Sequence, residues 1–275
     1  MTVATDCGAL LHAACQAVDD ARAVTLGAFH SGHNVSFDNK ASATATDIDP
    51  VTDADRQCEA LIRRVLGKAA PVADFVGEES AAASSTGIAR DGLTWIVDPI
   101  DGTRAFVCGI PTWSTLIALY CDARPVFGVV DFPALDERYI GFGDQARRTV
   151  AGRETALSVR TDVRLPQAIL CCTTPDMFTT PDQVGAFHRV RDAVGMTRFG
   201  TDAYGYAMLA TGQVDVVVEA DLKPWDVAAV ASLVRAAGGV ITDWNGSDAI
   251  LSDKIVAAGD VGVHEHLLRL LANPA

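Results

Sequence analysis

The segment Trp95-Ile96-Val97-Asp98-Pro99-Ile100-Asp101-Gly102-Thr103 constrains this chain more than any other. An apolar, strand-forming run leads without a break into two carboxylates, a glycine and a hydroxyl. A strand of buried character lies inside a layered fold, so its end delivers Asp98 and Asp101 to one fixed point. Carboxylate oxygens suit hard divalent cations. Gly102 lets the backbone turn closely and expose amides at the start of a short helix, where a phosphate would be received. The competing reading is an Asp-Pro and Asp-Gly turn with solvated acids, and this motif alone does not choose between the two.

Composition narrows the choice. A chain of 275 residues with 49% hydrophobic content can bury a large core, which excludes disorder, collagen and coiled coil. The net charge of −13 argues against an electrostatic grip on nucleic acid or an anionic membrane surface and favours cations, metals and amines as ligands. The seven cysteines are odd in number and none has C-x-x-C spacing, so reduced, buried thiols are expected. The first residues lack a basic start followed by an apolar core, and no apolar run approaches the ~18 residues of a membrane span. A cytoplasmic protein is expected.

Periodicity predicts helices over 5–26 and from Thr52 onward, where Ala54, Cys58, Leu61, Ile62, Val65 and Leu66 share a face and Thr52 with Asp55 resembles a capping box. Between them, 31–50 carries Lys40, Asp47 and Asp49 and reads as a loop or edge hairpin. Short strands at 95–97, 115–120, 126–130 and 138–142 suggest an antiparallel sheet. Beyond about residue 155, strands at 168–172, 214–218, 239–242 and 255–258 alternate with helices near 183–194, 202–212, 224–237 and 261–272. The expectation is one α/β body with subregions 1–155 and 156–275, the first carrying most of the acidic site and the second the residues that select the substrate.

Two further acidic motifs are weak when taken singly. Gly77-Glu78-Glu79-Ser80 follows an apolar run and places a carboxylate at a strand end or turn, but taken alone it reads first as an exposed surface pair. Asp226 in Pro224-Trp225-Asp226 has a sufficient explanation in the dipole of the helix it begins. No P-loop, G-x-G-x-x-G or nucleophile elbow is present, and His264 and His266, two apart on a helix, diverge.

Taken in order, Val51-Thr52-x-x-Asp55, Gly77-Glu78-Glu79, Asp98-Pro99-Ile100-Asp101-Gly102-Thr103 and Trp225-Asp226 resemble the inositol monophosphatase superfamily of magnesium-dependent, lithium-sensitive phosphatases over about residues 50–245. The resemblance implies a layered αβαβα sandwich of the inositol monophosphatase and fructose-1,6-bisphosphatase type, a small phosphate ester as substrate, and a homodimer. It implies two or three Mg²⁺ ions, replaceable by Mn²⁺. Glu78, Asp98 and the Ile100 carbonyl would hold one ion; Asp98, Asp101 and Asp226 would hold another. Asp55 and Thr103, with Glu78, would serve the attacking water, and the Gly102 and Thr103 amides would cradle the phosphate.

A narrower resemblance points to the histidinol-phosphate phosphatase branch of that superfamily. It rests on Pro111-Thr112-Trp113-Ser114, on 199–206, on Gly212-Gln213-Val214-Asp215 and on 219–226. In the branch acting on inositol phosphates the position of Asp202 is usually small and uncharged. Asp202 and Glu219 would thus receive the cationic part of histidinol phosphate, with Asp226 also facing the substrate. The bland alternative is that Asp202 merely caps the helix it precedes. An inositol-phosphate or broad sugar-phosphate phosphatase is the second reading, and a non-catalytic regulatory protein a third.

Overall fold

In the computed structural model, which describes residues 6–31, 37–39, 50–81 and 91–272, Asp6 accepts hydrogen bonds from the backbone N–H groups of Gly8 and Ala9 and so starts α1 (Cys7–Phe29). Leu10, Leu11, Ala14, Ala17, Val18 and Ala21 recur every three or four residues and form one buried stripe. It meets the matching stripe of α2 (Asp53–Ala69), made by Cys58, Ile62 and Leu66. Before α2, β1 (Phe37–Asn39) and β2 (Pro50–Thr52) pair antiparallel, in keeping with the edge hairpin expected there. Lys40, Asp47 and Asp49 lie outside the described residues.

Both helices cover one face of a seven-stranded sheet whose spatial order follows the chain: β3 (Asp74–Gly77), β4 (Leu93–Asp101), β5 (Ser114–Cys121), β6 (Arg124–Phe132), β7 (Glu137–Phe142), β8 (Gln145–Val150) and β9 (Arg153–Ala156). The antiparallel expectation holds from β4 to β9, but β3 adds to β4 in parallel. The connection over 78–92 has the length that a parallel pair requires. Alternation along the strands divides two cores. Trp95, Val97, Ile117 and Leu119 face α1 and α2, whereas Ile96, Leu116, Ala118 and Tyr120 face the interior of the molecule.

That interior is filled by α5 (Ala203–Ala210) and α6 (Pro224–Ala236). Beyond them lies a mixed five-stranded sheet in the order β11 (Met196–Phe199), β10 (Ile169–Cys172), β12 (Val216–Glu219), β14 (Ile255–Ala258), β13 (Val240–Asp243). Its far face packs on α4 (Pro181–Ala193) and α7 (Val261–Ala272) through Phe187, Val190, Val218, Val256 and Leu267. The layers therefore run αβαβα, as the resemblance implied. Strands β9 and β11 escape the sequence reading because they are almost wholly exposed and show no apolar alternation.

Two glycines set the depth of α6. A Cβ at Gly128 would stand 2.3 Å from the Ala229 carbonyl oxygen, and one at Gly141 2.5 Å from that of Ser232, so the α6 backbone rests directly on β6 and β7. Because α6 begins with Asp226, this close approach also fixes how far that carboxylate reaches toward β4. Gly128→Ala is expected to destabilise the fold by about 1–3 kcal/mol through overpacking. Gly27→Ala, which meets nothing within 4 Å, should cost nothing. Urea unfolding midpoints of the two variants check the contrast.

Candidate active site

Residues three apart in a regular strand point to opposite faces, so Asp98 and Asp101 could not converge on one ligand without an irregularity. The β4–β5 register supplies it. Asp98 pairs with Leu116 and Asp101 with Ser114, which leaves one extra residue in β4, a bulge over Pro99 and Ile100. Proline suits the bulge because it has no N–H to leave unpaired. Its carbonyl accepts from the Thr115 hydroxyl at 2.9 Å and from the Cys58 thiol of α2 at 3.7 Å. After the bulge, Gly102 takes a φ of 75° and α3 (Thr103–Val107) begins. The Thr103 hydroxyl donates to the Ile100 carbonyl at 3.0 Å. Ile100, Phe106 and Trp113 pack with Ala54, which holds the first turn of α2, and buried Asp55 within it, against the end of β4.

The result is a cluster: Asp98, Asp101 and Asp226 each offer a carboxylate oxygen, and the three oxygens lie within 4.8 Å of one another. Asp226 is held by the backbone N–H of Lys223 at 2.7 Å. Asp101 is held by Ala203 N–H at 3.0 Å and by the Ser114 hydroxyl at 3.3 Å. Burial first, then the charges of Glu78, Asp101 and Asp226, pushes the Asp98 carboxyl well above the usual range. Burial and the charges of Asp101 and Glu78 do the same to Asp226. Asp101 is pushed up to about 7 by burial and by the charge of Asp202. Glu78 thus belongs electrostatically to the cluster, although it arrives from a different strand end.

Carboxylates packed this closely repel one another, and Asp98 Oδ1 is buried with no hydrogen-bond partner among the described residues. An all-oxygen donor set with an unsatisfied, desolvated ligand atom fits a hard divalent cation such as Mg²⁺ or Mn²⁺.

Beside the cluster lies a cavity of about 130 Å³ lined by Asp101, Thr173, Asp202, Tyr206, Glu219 and Asp226, among others. Asp202 occupies the position before α5 but its side chain makes no capping hydrogen bond, and its φ of 46° with ψ of −144° is a conformation that only glycine adopts without cost. The bland explanation for this acid therefore fails. Its carboxylate lies over Gly102, where an added Cβ would come within 3.2 Å of it. Burial and the charge of Glu219 push Asp202 up to about 6, against the opposing pull of Arg104. Glu219 is buried and accepts from Thr173 N–H at 2.9 Å, from the Thr173 hydroxyl at 2.5 Å and from the Tyr206 hydroxyl at 2.8 Å.

Thr173 and Tyr206 were not singled out as site residues in the sequence. Each carries an ordinary polar group, and only the adjacency of β10 and β12 brings Thr173 to Glu219. The two tyrosines on the otherwise apolar α5 were the available signal for the second.

An αβαβα sandwich with a carboxylate cluster at a bulged strand end, followed by glycine and a hydroxyl, defines a metal-dependent phosphomonoesterase. Over residues 8–273 the chain matches the inositol monophosphatase family, and it belongs to that family. It is 38% identical over 234 residues to the chloroplastic bifunctional phosphatase IMPL2 of Arabidopsis thaliana, covering 82% of this chain and 66% of that one. It is 37% identical over 231 residues to a histidinol-phosphatase of Mycobacterium tuberculosis, covering 83% and 87%. Among solved structures, an inositol monophosphatase from Zymomonas mobilis superposes with a TM-score of 0.79 at 32% identity, covering 95% of this chain and 97% of that one.

Proposed function

We propose that this protein hydrolyses histidinol phosphate to histidinol and phosphate, a step of histidine biosynthesis, with Mg²⁺ or Mn²⁺. The observation that carries the reading is Asp202, an acid kept in a costly backbone conformation, with no capping role, on a cavity that adjoins the carboxylate cluster and also holds Glu219. Histidinol offers a primary ammonium and an imidazole, so two carboxylates match it better than they match a neutral polyol.

Asp98, Asp101 and Asp226, with Glu78 and the Ile100 carbonyl, would hold the cations. Bound there, a divalent ion lowers the pKa of water and offsets charge on the ester. The chain's own groups do the rest. Thr103, whose proton is committed to the Ile100 carbonyl, keeps its oxygen free to accept from a water, and Asp55 on α2 completes the pair that orients it. The Gly102 and Thr103 amides would receive phosphate oxygens. Tyr206 and Thr173 hold Glu219 rigidly at the cavity wall, so its carboxylate would meet a cation without first being ordered.

The second reading, an inositol-phosphate or broad sugar-phosphate phosphatase, draws support from those same bonds: a Glu219 with both oxygens already engaged is a less avid cation receptor. Phosphate release from histidinol phosphate, inositol 1-phosphate and glycerol 2-phosphate decides between them. The expected outcome is a kcat/KM for histidinol phosphate at least about tenfold above the other two, that is about 1.4 kcal/mol of discrimination. Faster turnover of inositol 1-phosphate would hand the assignment to the second reading.

A further inference from the structure

Glu78 reaches the carboxylate cluster from the turn that follows β3, and that turn is gripped from behind by α2. Glu59, one helical turn beyond Asp55 and on the same buried face, is only 4% exposed. Its Oε2 accepts the backbone N–H of Glu79 at 2.7 Å. Gly77 leaves room for this carboxylate, since a Cβ there would fall 2.5 Å from the same oxygen. One turn further along α2, Arg63 hydrogen-bonds the Ser80 hydroxyl and lies over the Phe75 ring with its guanidinium carbon 4.1 Å from the centroid. Two backbone bonds complete the frame, Glu78 N–H to the Val97 carbonyl at 3.2 Å and Ala81 N–H to the Gly77 carbonyl at 2.8 Å. The turn is thus fixed on both sides of Glu78, to β4 through its own amide and to α2 through the next one.

A buried carboxylate is expensive unless its oxygens are well bonded, and a leucine at this place in an amphipathic helix would pack without that cost. Among the described residues, the hydrogen bond that the Glu59 carboxylate accepts comes from the backbone amide adjacent to Glu78. The Arg63 guanidinium stands 3.8 Å from Glu59 Oε1, too far for a direct hydrogen bond. We propose that Glu59 is a positioning residue for the divalent cation: it fixes the turn that presents Glu78 and does not itself contact the ion. The inference rests on the metal-dependent reading of the cluster. Groups that orient a metal ligand typically account for about 10–100-fold in metal affinity.

The test measures Mn²⁺ uptake by the metal-stripped full chain, with free Mn²⁺ read by electron paramagnetic resonance, in wild type, Glu59→Ala, Glu59→Gln and Gly77→Ala. Glu59→Ala is expected to weaken Mn²⁺ binding about 10–100-fold. Glu59→Gln, whose amide oxygen still accepts from Glu79 N–H, should bind close to wild type. Gly77→Ala should reproduce the loss by displacing the carboxylate, and it decides the matter should Glu59→Ala fail to fold. In turnover, the Mg²⁺ concentration for half activation should rise in parallel while kcat at saturating Mg²⁺ changes little. Folded Glu59→Ala or Gly77→Ala protein with wild-type Mn²⁺ affinity overturns the inference, as does Glu59→Gln as weak as Glu59→Ala. Wild-type protein that takes up no Mn²⁺ would instead refute the metal-dependent reading on which it depends.

Discussion

Asp98→Asn is expected to lower kcat by at least about 10³-fold while making the metal-free protein more stable. The two effects have one cause. Asp98 stands at the centre of the cluster, and its amide analogue offers neither the charge nor the basicity that a divalent cation needs there, a loss expected to exceed the roughly 10–100-fold of an orienting group. Without metal, however, its charge is buried against Glu78, Asp101 and Asp226. Removing it relieves repulsion in a site kept strained for function. A gain of 1 kcal/mol moves Tm by about 2–4 °C in domains of 150–250 residues, so a rise of several degrees in EDTA is anticipated.

The pH dependence follows with its sign. The cluster carboxylates have folded-state pKa values raised above the ordinary 3.8, so the folded chain binds their protons more tightly than the unfolded one. Their contribution to stability is complete below pH 3.8 and is lost as pH rises, for Asp101 through about 7. Metal-free wild type should therefore lose stability as pH rises above 3.8 relative to Asp98→Asn, which lacks one of these titrating carboxylates and relieves the charge on its neighbours. Added Mg²⁺ should restore wild type increasingly as pH rises, since the ion binds the deprotonated carboxylates. Melting curves of both proteins from pH 4 to 8, with EDTA and with Mg²⁺, give the result. An Asn variant that turns over normally, or melts below wild type in EDTA, contradicts the assignment.

Asp202→Gly should separate substrates instead of abolishing turnover. If Asp202 receives the cationic end of histidinol phosphate in a partly desolvated cavity, its loss costs about 2–5 kcal/mol, or roughly 30-fold to a few thousand-fold in kcat/KM for that ester. Inositol 1-phosphate, with no cation to pair, should be turned over almost as before. Glycine also accepts the φ of 46° without penalty, so the variant should melt no lower than wild type. Kinetics with both esters in wild type and variant give the ratio. Equal losses on the two esters would assign Asp202 to holding α5 in place.

The sequence by itself determined the parts whose signals are local. Unbroken apolar runs set β4 and β5, spacing of three and four set α2, and turn chemistry at Asp98–Thr103 marked a strand end that carries acids. The ordered acidic motifs even reached the family. Tertiary structure decided how those acids meet. The bulge at Pro99 and Ile100 that turns Asp98 and Asp101 to one side depends on pairing with β5, so it leaves no trace in hydrophobic period. The Ala203 amide reaches Asp101 across 102 residues of chain, and Glu59 finds Glu79 across 20. A helix-cap reading of Asp202 was also open in the sequence, and it fell because the backbone there turns left-handed and the Tyr204 and Gly205 amides that a cap would satisfy bond to the Thr201 and Asp202 carbonyls instead. Local propensity reports how a segment folds against itself. Which distant partner occupies a buried polar atom is fixed only when the layers close and every such atom must be satisfied at once.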